Sequence, residues 1–264
     1  MLKGISFDVW GTLFTEEFLR EISRRYADLA RVSPNDAEAH MAAAYSELRT
    51  LRREGAIPDG VNQVDVSLSL LAKRGIDVEV FRRAMAQALE YVDLSKLVQP
   101  GVREMIPALH KDYRLLVLGN VVYWPGSYTR VLMEKAGLSE WFLAQLYSDE
   151  IGAAKPSRLA FKAALEHLGV GQPREALHVG DNAYEDLCGA IGAGLHGALI
   201  SAGSVTQEFS GNLIIGEIGA LSSAIRLLSR RPKSQAPPLP LLSLTLKIHI
   251  SHLLWRAASG SDLP

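Results

Sequence analysis

After Gln99-Pro100-Gly101 the chain alternates short apolar runs with helix-period segments, and this rhythm restricts the fold more than any other feature. Apolar runs at 113–118 and 176–179 end in Gly119-Asn120 and Gly180-Asp181. A weaker run covers 143–147, and 197–200 and 213–215 supply two more. Helical patterns lie between or after them at 102–111, 156–168, 184–191 and 220–228. Strands apolar throughout and separated by helices predict a parallel sheet covered on both faces. Ile5, Ser6 and Phe7 form one further strand that belongs to the same sheet. The stretch from Glu16 to about Tyr91 contains no convincing strand. Leu19, Ile22, Tyr26, Leu29 and Ala30 recur at helical spacing. Ser33-Pro34-Asn35-Asp36 reads as an N-cap with proline at the first helical position, opening a helix that reaches about Glu54. Gly75 separates a helix at 64–74 from one at 79–91. The expected architecture is therefore α/β: a doubly wound parallel sheet of residues 1–15 and 96–229, with an inserted all-helical cap at 16–95.

Composition narrows the class of function. Hydrophobic residues make up 48% of the chain and 22% are charged, enough for a large core. Lys and Arg number 28 against 29 Asp and Glu, a balance that argues against broad binding to nucleic acid or an anionic membrane. Cys188 is the single cysteine, which excludes an internal disulfide and a multi-cysteine metal site. No run of about 18 apolar residues occurs, and the first residues do not read as a signal peptide, so a soluble, cytoplasmic protein is expected. Residues 230–264 differ from the rest: a proline-rich linker leads into a segment whose apolar residues alternate from Leu242 to Ile250.

Ligands of an open parallel sheet bind beyond the carboxyl ends of its strands. Asp8, Gly119-Asn120, Gly180-Asp181 and nearby Asp186 stand at such ends, and Lys155-Pro156 opens the helix after the third strand. Carboxylates converging there would repel one another unless a cation neutralised them. An all-oxygen set suits Mg²⁺, which keeps waters and bridges to substrate phosphate. Lys155 would screen a carboxylate and hold a substrate anion.

These residues carry a family resemblance. Phe7-Asp8-Val9-Trp10-Gly11-Thr12-Leu13 resembles motif I of the haloacid dehalogenase superfamily. Leu116-Val117-Leu118-Gly119-Asn120 falls where motif II belongs, Lys155-Pro156 resembles motif III, and Gly180-Asp181 with Asp186 resembles the Gly-Asp-x4-Asp of motif IV. The order agrees over residues 1 to about 228, and the helical insert is similar to the small cap of the dehalogenase-like branch. The resemblance implies a hydrolase in which Asp8 is the nucleophile and forms a covalent aspartyl intermediate. It implies Mg²⁺ held by Asp8, the Trp10 carbonyl and Asp181, with Asp186 as a further ligand or a support. Thr12, Gly119 and Asn120 would position the transferring group of a small phosphorylated substrate, and Lys155 would offset developing charge.

Two positions depart from the pattern. Phosphatases of the family carry a second aspartate two residues after the nucleophile, where it protonates the leaving group. Here that residue is Trp10, whose indole is no proton carrier at neutral pH. Gly119 replaces the usual Ser or Thr and loses a hydroxyl. An aromatic residue at the Trp10 position also resembles 2-haloacid dehalogenases, which need no metal. Gly180-Asp181 and the absence of arginine between Arg31 and Arg49 oppose that assignment. A Mg²⁺-dependent phosphatase acting on good leaving groups therefore ranks first, ahead of a C–X hydrolase or a weakly active member that binds a ligand or partner. Elsewhere, Arg49, Arg52 and Arg53 read as a solvated helix face in preference to a substrate clamp, and the seven histidines, His178 included, read as structural or exposed.

Overall fold

The computed structural model describes residues 1–228, so the linker and alternating segment expected at 230–264 lie outside the described residues. Strand β1 (Gly4–Phe7) is followed by helices α1 (Glu17–Ala30), α2 (Pro34–Arg53), α3 (Gln63–Ala72) and α4 (Val78–Tyr91). Helices α5 (Leu94–Leu97) and α6 (Val102–His110) lead back to strand β2 (Arg114–Gly119). Then come α7 (Gly126–Lys135), β3 (Gln145–Tyr147), α8 (Ser148–Ile151), α9 (Arg158–Leu168) and β4 (Ala176–Gly180). A wide turn of helix over Ala183–Cys188 runs into α10 (Gly189–Gly192). Strands β5 (His196–Ile200), β6 (Gln207–Phe209) and β7 (Asn212–Ile215) and helix α11 (Leu221–Leu228) complete the described chain.

The strands form one sheet in the order β3-β2-β1-β4-β5-β7-β6, parallel except where β6 pairs antiparallel with β7. Thus β1, first in sequence, lies at the centre between β2 and β4. Its register aligns Phe7 with Val117 on one side and Val179 on the other, so Asp8, Gly119-Asn120 and Gly180-Asp181 emerge along one rim. That alignment puts the chemistry-bearing residues together.

Alternate residues supply the two faces. Ile5, Phe7, Leu115, Val117, Leu177 and Val179 pack with Val102, Ile106, Leu132 and Ile225 of α6, α7 and α11. Leu116, Leu118 and Leu146 point the other way, against Ala160, Phe161, Ala164 and Leu168 of α9. The expected doubly wound sheet is present, and the four long helices between β1 and β2 form the inserted helical unit. Pro34 occupies the first helical position of α2 as expected, although the Ser33 side chain makes no capping bond. Helix α9 begins two residues later than Pro156, capped by the Ser157 hydroxyl, which leaves Lys155-Pro156 in a turn. Among the described residues no helix is long and apolar enough to cross a membrane.

Phe161 is fully buried between the sheet and Gly189, and its ring meets His178 edge-on with centroids 5.2 Å apart. Phe161→Ala should lower unfolding free energy by about 3–5 kcal/mol, measured by urea denaturation followed by circular dichroism.

Candidate active site

Lys155 is buried to 1% exposure, with its ammonium 2.7 Å from Asp8 Oδ1 and 2.6 Å from Asp186 Oδ1. Burial opposes its charge, but Asp186 and Asp8 overcome that opposition and hold its pKa above the ordinary lysine value. It is a fixed cation. Asp186 is well supplied with donors: Oδ1 also accepts from His178 Nε2 at 3.1 Å, and Oδ2 accepts from the Asn182 N–H at 2.9 Å. Those partners outweigh its burial and hold its carboxyl below the usual range. Asp8 has the opposite balance. Burial, partly offset by Lys155 and reinforced by Asp186, raises its pKa to about 7.

Asp181 keeps contact with solvent across the open cleft, yet the protein packed around it and the charges of Asp8 and Asp186 push its pKa well above the carboxylate range. One ligand oxygen from each of Asp8, Asp181 and Asp186 lies within 4.8 Å of the others. Two glycines permit this crowding. Gly11 turns with φ +84°, and a Cβ there would run into the Asp181 carboxylate. A Cβ on Gly180 would strike Asp186.

The remaining expected site residues are placed differently from one another. Trp10 lines a cleft of about 270 Å³ together with Asp8, Asp181 and Arg49. Its ring stacks on Phe18 at 5.9 Å and meets Trp124 edge-on at 5.0 Å, so it joins the sheet rim to the helical insert. Asn120 is fully engaged with protein. Its Oδ1 accepts the Lys155 N–H at 2.8 Å, and its Nδ2 donates to the Lys155 carbonyl and to Glu185 Oε2, both at 2.9 Å. Thr12 is fully buried, and its hydroxyl has no partner. Gly119 ends β2 beside Tyr147, whose ring would lie 3.2 Å from an added Cβ; Gly126 meets the same ring from another direction.

The sequence from residue 2 to 194 matches the model of the haloacid dehalogenase-like hydrolase family. The chain belongs to that family. Pyrimidine 5'-nucleotidase YjjG of Escherichia coli is 27% identical over 195 residues, covering 72% of this chain and 82% of its own. A glyceraldehyde 3-phosphate phosphatase of Methanopyrus kandleri is 29% identical over 197 residues, covering 74% and 82%. Two solved structures share the fold. The HAD-hydrolase YfnB of Bacillus subtilis, bound to magnesium, superposes with TM-score 0.66 at 18% identity, over 86% of this chain and 99% of its own. L-2-haloacid dehalogenase of Xanthobacter autotrophicus superposes with TM-score 0.63 at 19% identity over the same shares.

For a haloacid dehalogenase-like hydrolase, the carboxylate set fits Mg²⁺ in donor chemistry. Asp8 and Asp181 are hard oxygen donors whose pKa values are raised by burial first and by neighbouring carboxylates second, and a dication would offset both. Asp186, with both oxygens engaged, stands behind them as the brace of Lys155.

Several residues of the site were not expected. His178 is buried and spans Asp186 and the Ser6 hydroxyl, which lies 2.8 Å from its Nδ1. Burial and the nearby Lys155 lower its pKa, so its role is that of a neutral hydrogen-bonding link. Two polar residues in otherwise apolar strands, paired in register as Ser6 and His178 are, were the available signal. Arg52 is no part of a solvated face: it is buried, bonded to the Val121 carbonyl of the core, and lines the edge of the same cleft as Asp8. Only Arg49 and Arg53 of that run are exposed.

The raised carboxyls set a pH dependence. A carboxyl whose pKa is higher in the folded state than in the unfolded chain stabilises at low pH, and that contribution is lost as pH rises. For Asp8 the loss runs from about pH 4, the ordinary carboxylate value, to about pH 7. The depressed pKa of His178 acts in the opposite sense over the same range, so the Asp8 contribution is read as a difference. In EDTA the melting temperature of wild type should fall relative to that of Asp8→Asn between pH 5 and pH 8, and millimolar Mg²⁺ should shrink that relative fall, with differential scanning fluorimetry as the readout.

Proposed function

We propose that the chain is a Mg²⁺-dependent phosphohydrolase for small phosphorylated metabolites with stable leaving anions, acting through an aspartyl phosphate on Asp8. The observation that carries this reading is the Lys155 ammonium, which touches Asp8 at 2.7 Å inside a three-carboxylate cluster. Relatives named as a nucleotidase and as phosphatases support a phosphorylated substrate. The helical insert, residues 16–95, acts as a cap over the core formed by 1–15 and 96–229.

An Asp8 oxygen attacks phosphorus, and the bond to the leaving oxygen breaks with its electron pair going to the leaving group. Water then cleaves the acyl phosphate and releases inorganic phosphate. Lys155 keeps its proton throughout and serves as a positive wall against the charge of the phosphoryl oxygens. Mg²⁺, held by Asp8, Asp181 and the Trp10 carbonyl, would neutralise the carboxylates and draw the phosphoryl group toward Asp8. Thr12 supports the motif I turn beside Asp8 through its backbone N–H, which donates to the Val9 carbonyl at 3.2 Å. Gly119 and Asn120 shape the adjoining wall, Asn120 through its hold on Lys155.

Trp10 sets the substrate range. Proton donation to a leaving group is worth about 10²–10⁴-fold, and an indole cannot supply it. Acyl and aryl phosphates, which leave as stable anions, escape most of that loss. Wild-type kcat/KM should fall steeply with leaving-group pKa across a phosphate-ester series, and Asp8→Asn should abolish turnover. Trp10→Asp should flatten that slope by favouring alkyl esters. The same change should destabilise the fold by several kcal/mol, because it removes a ring from the Phe18–Trp124 cluster.

The aromatic residue at position 10 also favours a second reading, C–X hydrolysis of a 2-haloacid. Chloride release from 2-chloropropionate that persists in EDTA would establish it and overturn the phosphatase. Absence of turnover on either class, with a ligand still raising the melting temperature, would identify a binding protein.

A further inference from the structure

The segment that carries Lys155 is held from the helical insert as well as from the core. Its backbone is clamped at both N–H and carbonyl by the Asn120 side chain. Asn120 in turn donates to Glu185, and Glu185 accepts from Arg52 Nη1 of α2 at 3.4 Å. Arg52 spends its other nitrogens on the Val121 carbonyl, 2.5 Å away, and on Gln63 of the insert, at 2.6 Å. Both of its core partners neighbour motif residues, Val121 following Asn120 and Glu185 preceding Asp186. The flanks of the same segment are tied to the loop between α2 and α3. Gly60 N–H donates to the Gly152 carbonyl at 2.6 Å, and the Ser157 hydroxyl bonds Asp59 at 3.0 Å.

We propose that Arg52 is a positioning residue, which sets the Lys155 segment through Glu185 and Asn120 when α2 is docked on the core. The inference rests on the reading of Asp8 and Lys155 as the reacting centre, and it adds a residue at the edge of the cleft that acts through the Lys155 segment. Three observations favour it over simple packing. Arg52 is 7% exposed, and its guanidinium donates to Gln63, Glu185 and the Val121 carbonyl, so it bridges insert and core by directed bonds instead of merely filling space. Its bonds go to backbone and side chains next to the motifs. And the two insert contacts at Gly152 and Ser157 bracket the same short segment. A displacement of about 1 Å at a reacting group can cost about a hundredfold in rate, so a loose segment would be felt.

The test compares wild type with Arg52→Met, which keeps length and apolar bulk, and with Glu185→Gln. Amide hydrogen exchange across 153–157 reports the segment directly, because the Lys155 N–H is the group that Asn120 holds. Exchange there should quicken about tenfold or more, while β1 and β4 stay protected. With an aryl phosphate and saturating Mg²⁺, kcat should drop about ten- to a hundredfold while KM changes little. The double variant should be no slower than Arg52→Met. Unchanged exchange at 153–157 in a folded variant, or faster exchange spread evenly over the sheet, would overturn the proposal. A rise in KM alone would also overturn it, since Arg52 would then be contacting substrate. Should Arg52→Met fail to fold, Glu185→Gln and the exposed loop change Asp59→Ala face the same criteria. A wild type inactive on every phosphate ester would refute the phosphatase, and the exchange result would still decide the role of Arg52.

Discussion

A lysine buried between two aspartates governs how this molecule is built. An ammonium without water is tolerable only with close opposite charge, and Lys155 has Asp8 and Asp186 within 2.7 Å. The carboxylates are equally dependent on it. Three of them share one rim, and each would raise the pKa of the others without a cation among them. The chain resolves the conflict unevenly: Asp186 accepts from Lys155, His178 and the Asn182 N–H and is held low, while Asp8 shares the Lys155 ammonium and remains raised, as does Asp181.

That asymmetry follows from topology. β1 is central, so Asp8, the residue that follows it, has site residues on both sides: β2 leads to Asn120, and β4 leads to Asp181 and the turn that carries Asp186. Glycines 11 and 180 make the approach possible, because side chains there would occupy the space of the carboxylates. Behind the rim, Ser6 and His178 continue the polar chain into the sheet, on the α9 side under the Phe161 ring. In front, Trp10 exchanges proton-transfer ability for aromatic contact with Phe18 of the insert and Trp124 of the core.

Much of this was legible in the sequence, for physical reasons. Apolar strands ending in Gly and a carboxylate or amide declare both sheet and rim, and the family pattern orders Asp8, Lys155, Asp181 and Asp186 along the chain. Strand β6 was not legible: Gln207–Phe209 is short, half polar, and owes its conformation to pairing with β7. Arg52 was misread because a basic run on an amphipathic helix resembles a wet surface, and only tertiary contact reveals that one of three arginines turns inward. Asn120 was assigned to substrate by position. What it binds, the Lys155 backbone, depends on a loop geometry that no periodicity encodes.

The Tyr147 ring is wedged between Gly119 and Gly126, so the two glycines and the tyrosine form one unit of shape. The two sides of the wedge differ in tolerance. A Cβ at position 126 would collide with the ring and could not be admitted without moving it, whereas one at position 119 would sit 3.2 Å away and ask it to yield by a few tenths of an ångström. A hydroxyl brought in at the end of β2 is therefore coupled to the seating of an aromatic one strand away, and the ring has no room to retreat on its other side.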